Sequence, residues 1–249
     1  MNWMQVEAQL GRDDRAVLPI GSTEQHAYLS LATDVVLAER VAIEAAAPLE
    51  VPVFPALPYG MTPGFMAYPG TVTVSPVHYF AFLRDVLESI ATHGFRRIMV
   101  VNGHGGNTPA KVAAYEWMAQ RGGVQVLWHD WWNAPATMAR VRSIDLVASH
   151  ASWMESFEWT RVEGPEPPDV QKSLVDLARL STLDPRATRE YLGDGNFGGR
   201  PRRSDEEMAG IWRTAVEETR ELLSHGWSVP AAPAPAERDR TGVKRGSGV

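Results

Sequence analysis

Cysteine is absent from the 249 residues of the chain. Disulfide bonds, thiolate zinc sites and a cysteine nucleophile are therefore excluded. Any metal site has to use histidine and carboxylate ligands, which suit Zn, Mn, Fe(II) or Co better than Cu(I). The absence of cysteine also fits a cytoplasmic protein, and this is the compartment that we expect.

Basic stripes and long apolar runs are missing as well. Lys and Arg together number 24 against 30 Asp and Glu, which gives a formal net charge of −6, so we expect no nucleic-acid partner. No apolar run approaches the ~20 residues that span a bilayer. Residues 1–7 lack the basic and apolar regions of a secretory signal. We therefore expect no membrane partner either.

The length of the chain suits one large α/β domain with a substantial core. Apolar residues make up 44% of the sequence, which lies in the normal globular range. The last twenty or so residues are rich in Pro and Ala, and then charged and rich in Gly. That composition is typical of disorder. We predict one domain over residues 1–228 and a disordered tail over residues 229–249.

Strands and helices alternate through the first half of the sequence. Short apolar runs predict buried strands at residues 16–20, 98–101 and 124–127. Helical periodicity predicts helices at residues 35–47, 77–93, 109–120 and 204–224. Further helices are predicted to contain residues 150–160 and 171–180, and a strand edge residues 71–74. This alternation favours a single-domain layered sandwich with a mainly parallel central sheet flanked by helices.

Three side chains that can bind a metal follow the first predicted strand. Glu24 and His26 are two residues apart, so in extended backbone both can point into one cavity. Asp34 opens the next predicted helix, where a carboxylate either bridges ions or caps the helix. In open α/β sheets, ligands usually bind at the C-terminal ends of the strands. The combination at this place favours a metal site.

A glycine-rich turn, Gly-His-Gly-Gly-Asn at residues 103–107, joins the second predicted strand to a helix. It is either a phosphate-binding loop at a helix N-terminus or a tight turn that presents His104 as a metal ligand. In the first case Asp130, at the end of the next strand, could bind a ribose. The spacing departs from G-x-G-x-x-G, however, because Thr108 occupies the last glycine position. We favour the metal ligand and keep a nucleotide-binding oxidoreductase as the alternative.

His150 and Glu155 lie five residues apart among the apolar residues Trp153, Met154 and Phe157. These neighbours indicate a buried segment, and a buried carboxylate needs a partner or a metal. His129 and Asp130 are further candidates for the same end of the sheet. The tryptophans at 131 and 132 are either core residues or the lining of a pocket for a flat substrate.

Several of these motifs together resemble the signature blocks of the creatininase family. They are Glu-Gln-His at 24–26, Thr-Asp at 33–34, Tyr-Pro-Gly-Thr at 68–71, Asn-Gly-His-Gly-Gly-Asn at 102–107 and the His150 segment with Glu-Ser at 155–156. The blocks follow the family order and span about residues 17–160. Members of the family are metal-dependent hydrolases of non-peptide or cyclic amide C–N bonds. They include creatininase, a deformylase of flavin and deazaflavin biosynthesis, and the peptidase that matures mycofactocin.

The resemblance implies a compact α/β sandwich and two divalent ions per chain, which would be Zn, Mn or Fe(II). Glu24 and His104 would bind the first ion and His26 the second, with Asp34 bridging both. Many members of the family are homo-oligomers, often hexamers, so the resemblance also implies a homo-oligomer.

One departure from the family pattern concerns the second ion. Creatininase itself has a Glu ligand where this chain has Gly106, so creatinine is not the expected substrate. His26 and the bridging Asp34 give the second ion only two protein ligands. Catalytic sites usually supply three. We expect Glu155 to be the third ligand and keep Asp130 as the second choice.

The remaining expectations concern catalysis and the substrate. By resemblance, His150 matches the catalytic histidine that moves a proton, and Trp131 or Trp132 matches a tryptophan that covers the substrate. Tyr28 and Tyr68 make the predicted mouth of the site more apolar than in most relatives.

We therefore predict an amidohydrolase that uses a hydroxide activated by the metal ions. Its small-molecule substrate would be a flat, weakly polar cyclic amide or another non-peptide C–N compound. The alternatives within the family are a formamide deformylase and a peptide-maturing hydrolase. The alternatives of another class are a nucleotide-binding oxidoreductase and an inactive metal-binding scaffold.

Overall fold

Three parallel strands form the centre of the fold. They are β1 (Arg15–Ile20), β2 (Arg97–Asn102) and β3 (Gln125–Asp130), in the spatial order β1-β2-β3. Their C-terminal ends are in register, with Ile20 beside Asn102 and Asn102 beside Asp130. A computed structural model describes residues 1–228, so the tail predicted at 229–249 lies outside the described residues.

Alternate residues of the strands enter two different cores. Val17 and Met99 lie in the core on one face of the sheet, whereas Leu18 and Val100 lie in the core on the other. This two-sided burial follows from the two-residue period of a strand and explains why each strand is a nearly continuous apolar run.

Eight α-helices surround the sheet in the part of the chain that is described. They are α1 (Trp3–Leu10), α2 (Thr33–Ala46), α3 (Pro76–Thr92), α4 (Ala110–Arg121), α5 (Pro135–Ile144), α6 (Leu177–Leu180), α7 (Pro185–Leu192) and α8 (Asp205–His225). Helices α2, α5 and α8 cover the face of Val17, and α3 and α4 cover the face of Leu18. The predicted layered α/β sandwich with a parallel sheet is confirmed.

The helices predicted at residues 35–47, 77–93, 109–120 and 204–224 are confirmed as α2, α3, α4 and α8. Helix α8 begins with a capping box, in which Ser204 and Glu207 exchange side-chain-to-backbone hydrogen bonds. No helix within residues 1–228 combines the length and the apolar character needed to cross a membrane.

The helix predicted over residues 150–160 is wrong. This segment forms two short 3-10 turns, Trp153–Glu155 and Glu158–Thr160. The chain is turned by Ala151, which has a left-handed φ of 59°. The hydroxyl of Ser152 bonds the backbone of Ser149 in both directions, and such local bonds compete with a helix.

The regular structure predicted at 171–180 and 71–74 is only partly present. The helix is confined to α6, which begins after the N-cap Asp176, and Lys172 instead pairs with Gly199. The strand edge is reduced to isolated bridges at Val72 and Thr73. Helices α1, α5 and α7 were not expected from the sequence pattern.

Candidate metal centre

The five side chains predicted to bind metal converge beyond the C-terminal ends of β1 and β2. They are Glu24, His26, Asp34, His104 and Glu155. The first two belong to the turn after β1, the third to the first turn of α2 and the fourth to the turn after β2. The fifth comes from the 3-10 turn at 153–155, which packs against this end of the sheet. All five side chains are buried or nearly so.

Two groups of three ligand atoms share the carboxylate of Asp34. In the first group, His104 Nδ1 lies 3.3 Å from Glu24 Oε1 and 3.2 Å from Asp34 Oδ2. In the second group, His26 Nε2 lies 3.0 Å from Asp34 Oδ1 and 3.9 Å from Glu155 Oε2. Each oxygen of Asp34 therefore faces a different histidine. Asp34 is the second residue of α2, whose N-cap is Ala32, so the capping interpretation of Asp34 is wrong.

Each of the two imidazoles is oriented by a backbone carbonyl on its far side. His26 Nδ1 lies 3.2 Å from the carbonyl oxygen of Glu24, and His104 Nε2 lies 3.0 Å from that of Met61. A carbonyl only accepts hydrogen bonds, so each ring carries a proton on that nitrogen. The other nitrogen is directed at the carboxylates, as in histidines that bind metal ions.

The buried polar atoms at the centre contact one another as ion pairs, without well-aligned hydrogen bonds. Glu24 Oε1, His26 Nε2 and Asp34 Oδ2 are shielded from solvent and make no well-aligned hydrogen bond with any described residue. Their contacts are the ion pairs of His26 with Asp34 and of His104 with both carboxylates. Buried polar atoms are normally paired because leaving one unpaired costs about 1–3 kcal/mol. Oxygen and nitrogen donors that face one point fit a divalent ion with borderline preferences, such as Zn or Mn.

Without an ion, the charges of the cluster balance one another. Burial disfavours a charged His26, but the carboxylates of Asp34, Glu155 and Glu24 together outweigh burial and raise the pKa of His26 to about 10. The pKa of His104 is also raised, because Glu24 and Asp34 overcome the effect of its burial. For Asp34, burial is outweighed by His26 and His104, which lower its pKa. Burial raises the pKa of Glu155 to about 7. Two cationic rings thus neutralise the buried carboxylates.

His150 lies beside this cluster. Its Nδ1 is 3.8 Å from Glu24 Oε1, and its ring centroid is 4.5 Å from that of His26. On the other side of the ring, Nε2 lies 2.9 Å from the side-chain nitrogen of Gln25 and 3.2 Å from the backbone oxygen of the same residue. Burial, together with the neighbouring His26, lowers the pKa of His150 to about 4. The ring is therefore neutral near pH 7 and can accept a proton.

An aromatic wall, which we define as Phe65, Tyr68 and Phe197, encloses His150. Phe65 stacks on the imidazole with a centroid separation of 5.3 Å, and Phe197 lies 4.7 Å from it. The two phenyl rings meet edge to face at 5.9 Å, and Tyr68 packs against Phe65 at 6.4 Å. The wall thus provides apolar ring surfaces beside the imidazole, next to its polar contacts with Gln25.

Phe197 is not among the site residues that the sequence predicts. Its loop, at residues 194–199, is fixed to the site. The carbonyl of Gly195 accepts a hydrogen bond from Gln25 at 3.1 Å, and Phe197 N donates to the carbonyl of His150 at 3.1 Å. Lys172 also binds Asp194 at 2.7 Å. An aromatic residue inside a glycine-rich stretch was the available signal.

The four residues predicted to bind the substrate fall in different places. Tyr68 is part of the aromatic wall, and Tyr28 is half-buried two residues after His26. Trp132 is half-buried and lies against the glycine-rich turn at Gly105. Trp131 is only 3% exposed and packs in the core against Trp212, so its assignment to the substrate is wrong.

Asp130 does not join the cluster. Its Oδ1 accepts hydrogen bonds from Asn102 Nδ2 at 2.7 Å and from Trp128 Nε1 at 3.0 Å. The bond to Asn102 connects the end of β3 to that of β2. The prediction that Asp130 is the second choice for the missing ligand is therefore wrong. His129 is likewise buried away from the cluster, with its Nε2 2.9 Å from the hydroxyl of Thr219.

The glycine-rich turn offers no cradle for a phosphate. The N–H groups of Asn107 and Thr108 bond to carbonyls within the turn. At Gly106, an added Cβ would lie 2.2 Å from the Met61 carbonyl oxygen and 2.3 Å from His104 Nε2, so the space above the turn is filled. The turn serves to present His104, and the nucleotide-binding interpretation has no structural support. The same crowding excludes a glutamate at position 106.

Comparison with known protein families matches residues 1–223 to the family described as "Creatininase: Creatinine amidohydrolase". The chain belongs to the creatininase family. The matched range includes every side chain of the candidate metal centre and the aromatic wall. The resemblance seen in the signature blocks is therefore confirmed.

Curated relatives in the creatininase family match part of the chain. The creatinine amidohydrolase of Pseudomonas putida is 30% identical over 111 residues, 42% of this chain and 43% of the relative. The mycofactocin precursor peptide peptidase of Mycolicibacterium smegmatis is 37% identical over 105 residues, 39% of this chain and 42% of the relative. The alignments thus span less than half the length of these relatives.

Solved creatininase structures match nearly the whole fold. A crystal structure described as "creatinine amidohydrolase (creatininase)" superposes with a TM-score of 0.73 at 20% identity. The match covers 92% of this chain and 96% of that one. A putative creatinine amidohydrolase from Bacteroides fragilis gives a TM-score of 0.69 at 22% identity, with 86% and 91% covered. At this level of identity the likeness establishes the fold.

Proposed function

We propose that the chain is an amidohydrolase that depends on two divalent metal ions. The observation that carries the proposal is the pair of buried ligand groups that share Asp34, in which three polar atoms make no well-aligned hydrogen bond among the described residues. Family membership supports hydrolysis of an amide C–N bond. Solved creatininases described as "Creatininase Mn" and "Zn-Zn type" support Mn or Zn as the metal, and Fe(II) suits the same donors.

In this proposal, Glu24, Asp34 and His104 would hold one ion. His26, Asp34 and Glu155 would hold the other, so that Glu155 would take the place of a ligand that Gly106 cannot supply. The ions would supply Lewis acidity toward an amide carbonyl and toward water near neutral pH.

His150 moves the proton in the proposed reaction. Its Nδ1 is on the side of the carboxylate cluster, 3.8 Å from Glu24, where a proton from the attacking water is released. The ring then delivers that proton to the leaving nitrogen, as a general acid. With a proton on Nε2, the opposite nitrogen donates to the backbone oxygen of Gln25, which leaves Nδ1 free to accept the proton and holds the ring in place. The aromatic wall limits the access of bulk water to the ring.

The substrate that best fits these surroundings is a small, flat, weakly polar cyclic amide. Phe65, Phe197 and Tyr68 offer ring faces and edges, and Trp132 offers another at the glycine-rich turn. Aromatic surfaces of this kind favour planar partners. Hydrolysis of a precursor peptide is the second candidate, because the mycofactocin precursor peptide peptidase of M. smegmatis is a relative with 37% identity over 105 residues. We also propose a homo-oligomer, up to a hexamer, which sedimentation velocity would test.

A substrate screen with controlled metal content tests the proposal. Chelator-treated protein, alone and reloaded with Zn, Mn or Fe(II), would be assayed with lactams, hydantoins, oxindoles, formamides and short peptides. We expect turnover of a ring amide only in the reloaded samples. Full activity in rigorously metal-free protein would refute metal dependence. Protein that binds two ions but turns over no compound in the screen would favour an inactive scaffold.

A further inference from the structure

We propose that Asn107 is a positioning residue for the candidate metal centre. It holds the backbone at Met61 so that the Met61 carbonyl fixes the ring of His104 with Nδ1 toward Glu24 and Asp34. The inference rests on the proposed function, because it concerns the affinity of the first ion. We call the contact between Met61, His104 and Asn107 the carbonyl clamp.

The first step is the orientation of His104. Its Nε2 lies 3.0 Å from the carbonyl oxygen of Met61, so this nitrogen carries the proton and is turned away from the cluster. Nδ1 is then the nitrogen that can bind an ion, 3.2 Å from Asp34 Oδ2. Without the carbonyl, the ring could rotate or change its protonated nitrogen.

The second step is the position of that carbonyl. Met61 lies in a long loop, but its backbone N–H donates to Asn107 Oδ1 at 3.2 Å. Asn107 Nδ2 in turn donates to the carbonyl of Gly21 at 3.0 Å, directly after β1. Asn107 is 0% exposed. One buried amide thus ties the loop, the end of β1 and the turn after β2 together.

The third step is the room that two glycines provide. An added Cβ at Gly60 would lie 2.6 Å from Asn107 Oδ1, and one at Gly106 would lie 2.2 Å from the Met61 carbonyl oxygen. Any side chain at either position would push the loop away from the turn. The absence of a side chain at Gly106 therefore leaves space for the Met61 carbonyl, which orients His104.

Zinc titration calorimetry of metal-free protein tests the carbonyl clamp. Outer hydrogen-bond partners of metal-binding histidines typically contribute about 10- to 100-fold in affinity. We expect wild-type protein to bind two Zn ions and Asn107→Ala to bind one of them about 10- to 100-fold more weakly. Gly106→Ala, which displaces the carbonyl without removing a polar group, should weaken the same ion. Thr219→Val removes a buried hydroxyl away from the cluster and serves as the matched control, with both affinities unchanged.

The outcomes separate this inference from the proposed function. Wild-type protein that binds no Zn would overturn both. Two unchanged affinities in a folded Asn107→Ala or Gly106→Ala variant would overturn the carbonyl clamp alone.

A measurement on wild-type protein keeps the inference testable if both variants fail to fold. Long-range ¹H–¹⁵N correlation spectra of the Zn-loaded protein should show His104 protonated at Nε2 and not at Nδ1. A proton on Nδ1 would refute the orientation on which the inference depends.

Discussion

Glu155 and His150 belong to one short turn that faces the metal cluster from outside the sheet. Glu155 Oε2 accepts a hydrogen bond from the backbone N–H of Ala151 at 2.6 Å and lies 3.9 Å from His26 Nε2. The turn depends on Ala151, whose φ of 59° costs an ordinary residue about 1–2 kcal/mol. The backbone strain is therefore located between the proposed proton carrier and the proposed third ligand, as is common at functional sites.

Glu155→Gln should remove the second ion. The amide keeps the size of the side chain but loses the charge that a divalent ion needs, so we expect the metal content to fall from two ions per chain toward one. Turnover should be largely lost. Elemental analysis after dialysis against a weak chelator measures the metal content. Glu158→Gln, at an exposed position in the following turn, is the control. Retention of both ions by Glu155→Gln would contradict the assignment.

Metal binding should release protons at pH 7. In the metal-free protein the carboxylates raise the pKa values of His26 and His104, that of His26 to about 10, so both rings are protonated. A divalent ion has to displace the proton from the nitrogen that it binds. We expect about two to three protons to be released per two ions, because Glu155, whose pKa is raised to about 7, also loses its partial share of a proton. Metal affinity should fall as the pH is lowered because protons then compete more strongly. Calorimetry in buffers with different ionisation enthalpies counts the protons. An apparent binding enthalpy that is independent of the buffer would contradict this.

The convergence of the candidate ligands could be predicted from the sequence, and the reason is geometric. Parallel strands end at the same edge of a sheet, so side chains that follow β1 and β2 have to lie near one another. The apolar surroundings of Glu155 predicted a carboxylate that is nearly buried, as the structure shows, whereas its role as a ligand stays a prediction. These inferences used local sequence patterns only. They hold in the folded chain because β1 and β2 pair in register and end side by side.

The rest depended on tertiary contacts that no local pattern reports. Trp131 and Trp132 are adjacent in sequence, but the 3-10 turn at Trp131–Asn133 sends one into the core and leaves the other half-buried. Asp130 accepts a hydrogen bond from Asn102 in the neighbouring strand, and the residues that flank Asp130 in sequence do not predict this bond. Phe197 reaches His150 because loop 194–199 is bonded to Gln25 and His150.

His150→Ala should keep both ions and lose catalysis. His150 is not needed to complete either of the two groups that share Asp34, whereas its proposed role in proton transfer is worth about 10²- to 10⁴-fold. We expect turnover to fall at least a hundredfold with the metal content unchanged. The exposed His78→Ala serves as the control. His150 also lies close enough to Glu24 and His26 to form a third ligand group. Loss of an ion from His150→Ala would therefore show that it is a ligand.

Phe197→Leu and Trp132→Ala should separate the two sides of the substrate pocket. Both lose an aromatic contact to a flat substrate, worth about 0.5–1.5 kcal/mol, so KM should rise roughly two- to tenfold. Phe197 also packs on His150 at 4.7 Å, so its replacement should lower kcat as well, whereas Trp132→Ala should leave kcat near the wild-type value. Phe54→Leu, which alters an aromatic pair with Phe95 in the core facing α3, is the control. Steady-state kinetics on the ring amide found in the screen provides the measurement. An unchanged KM in both variants, or a clear preference of the wild-type protein for charged nucleotides, would refute an aromatic pocket for weakly polar rings.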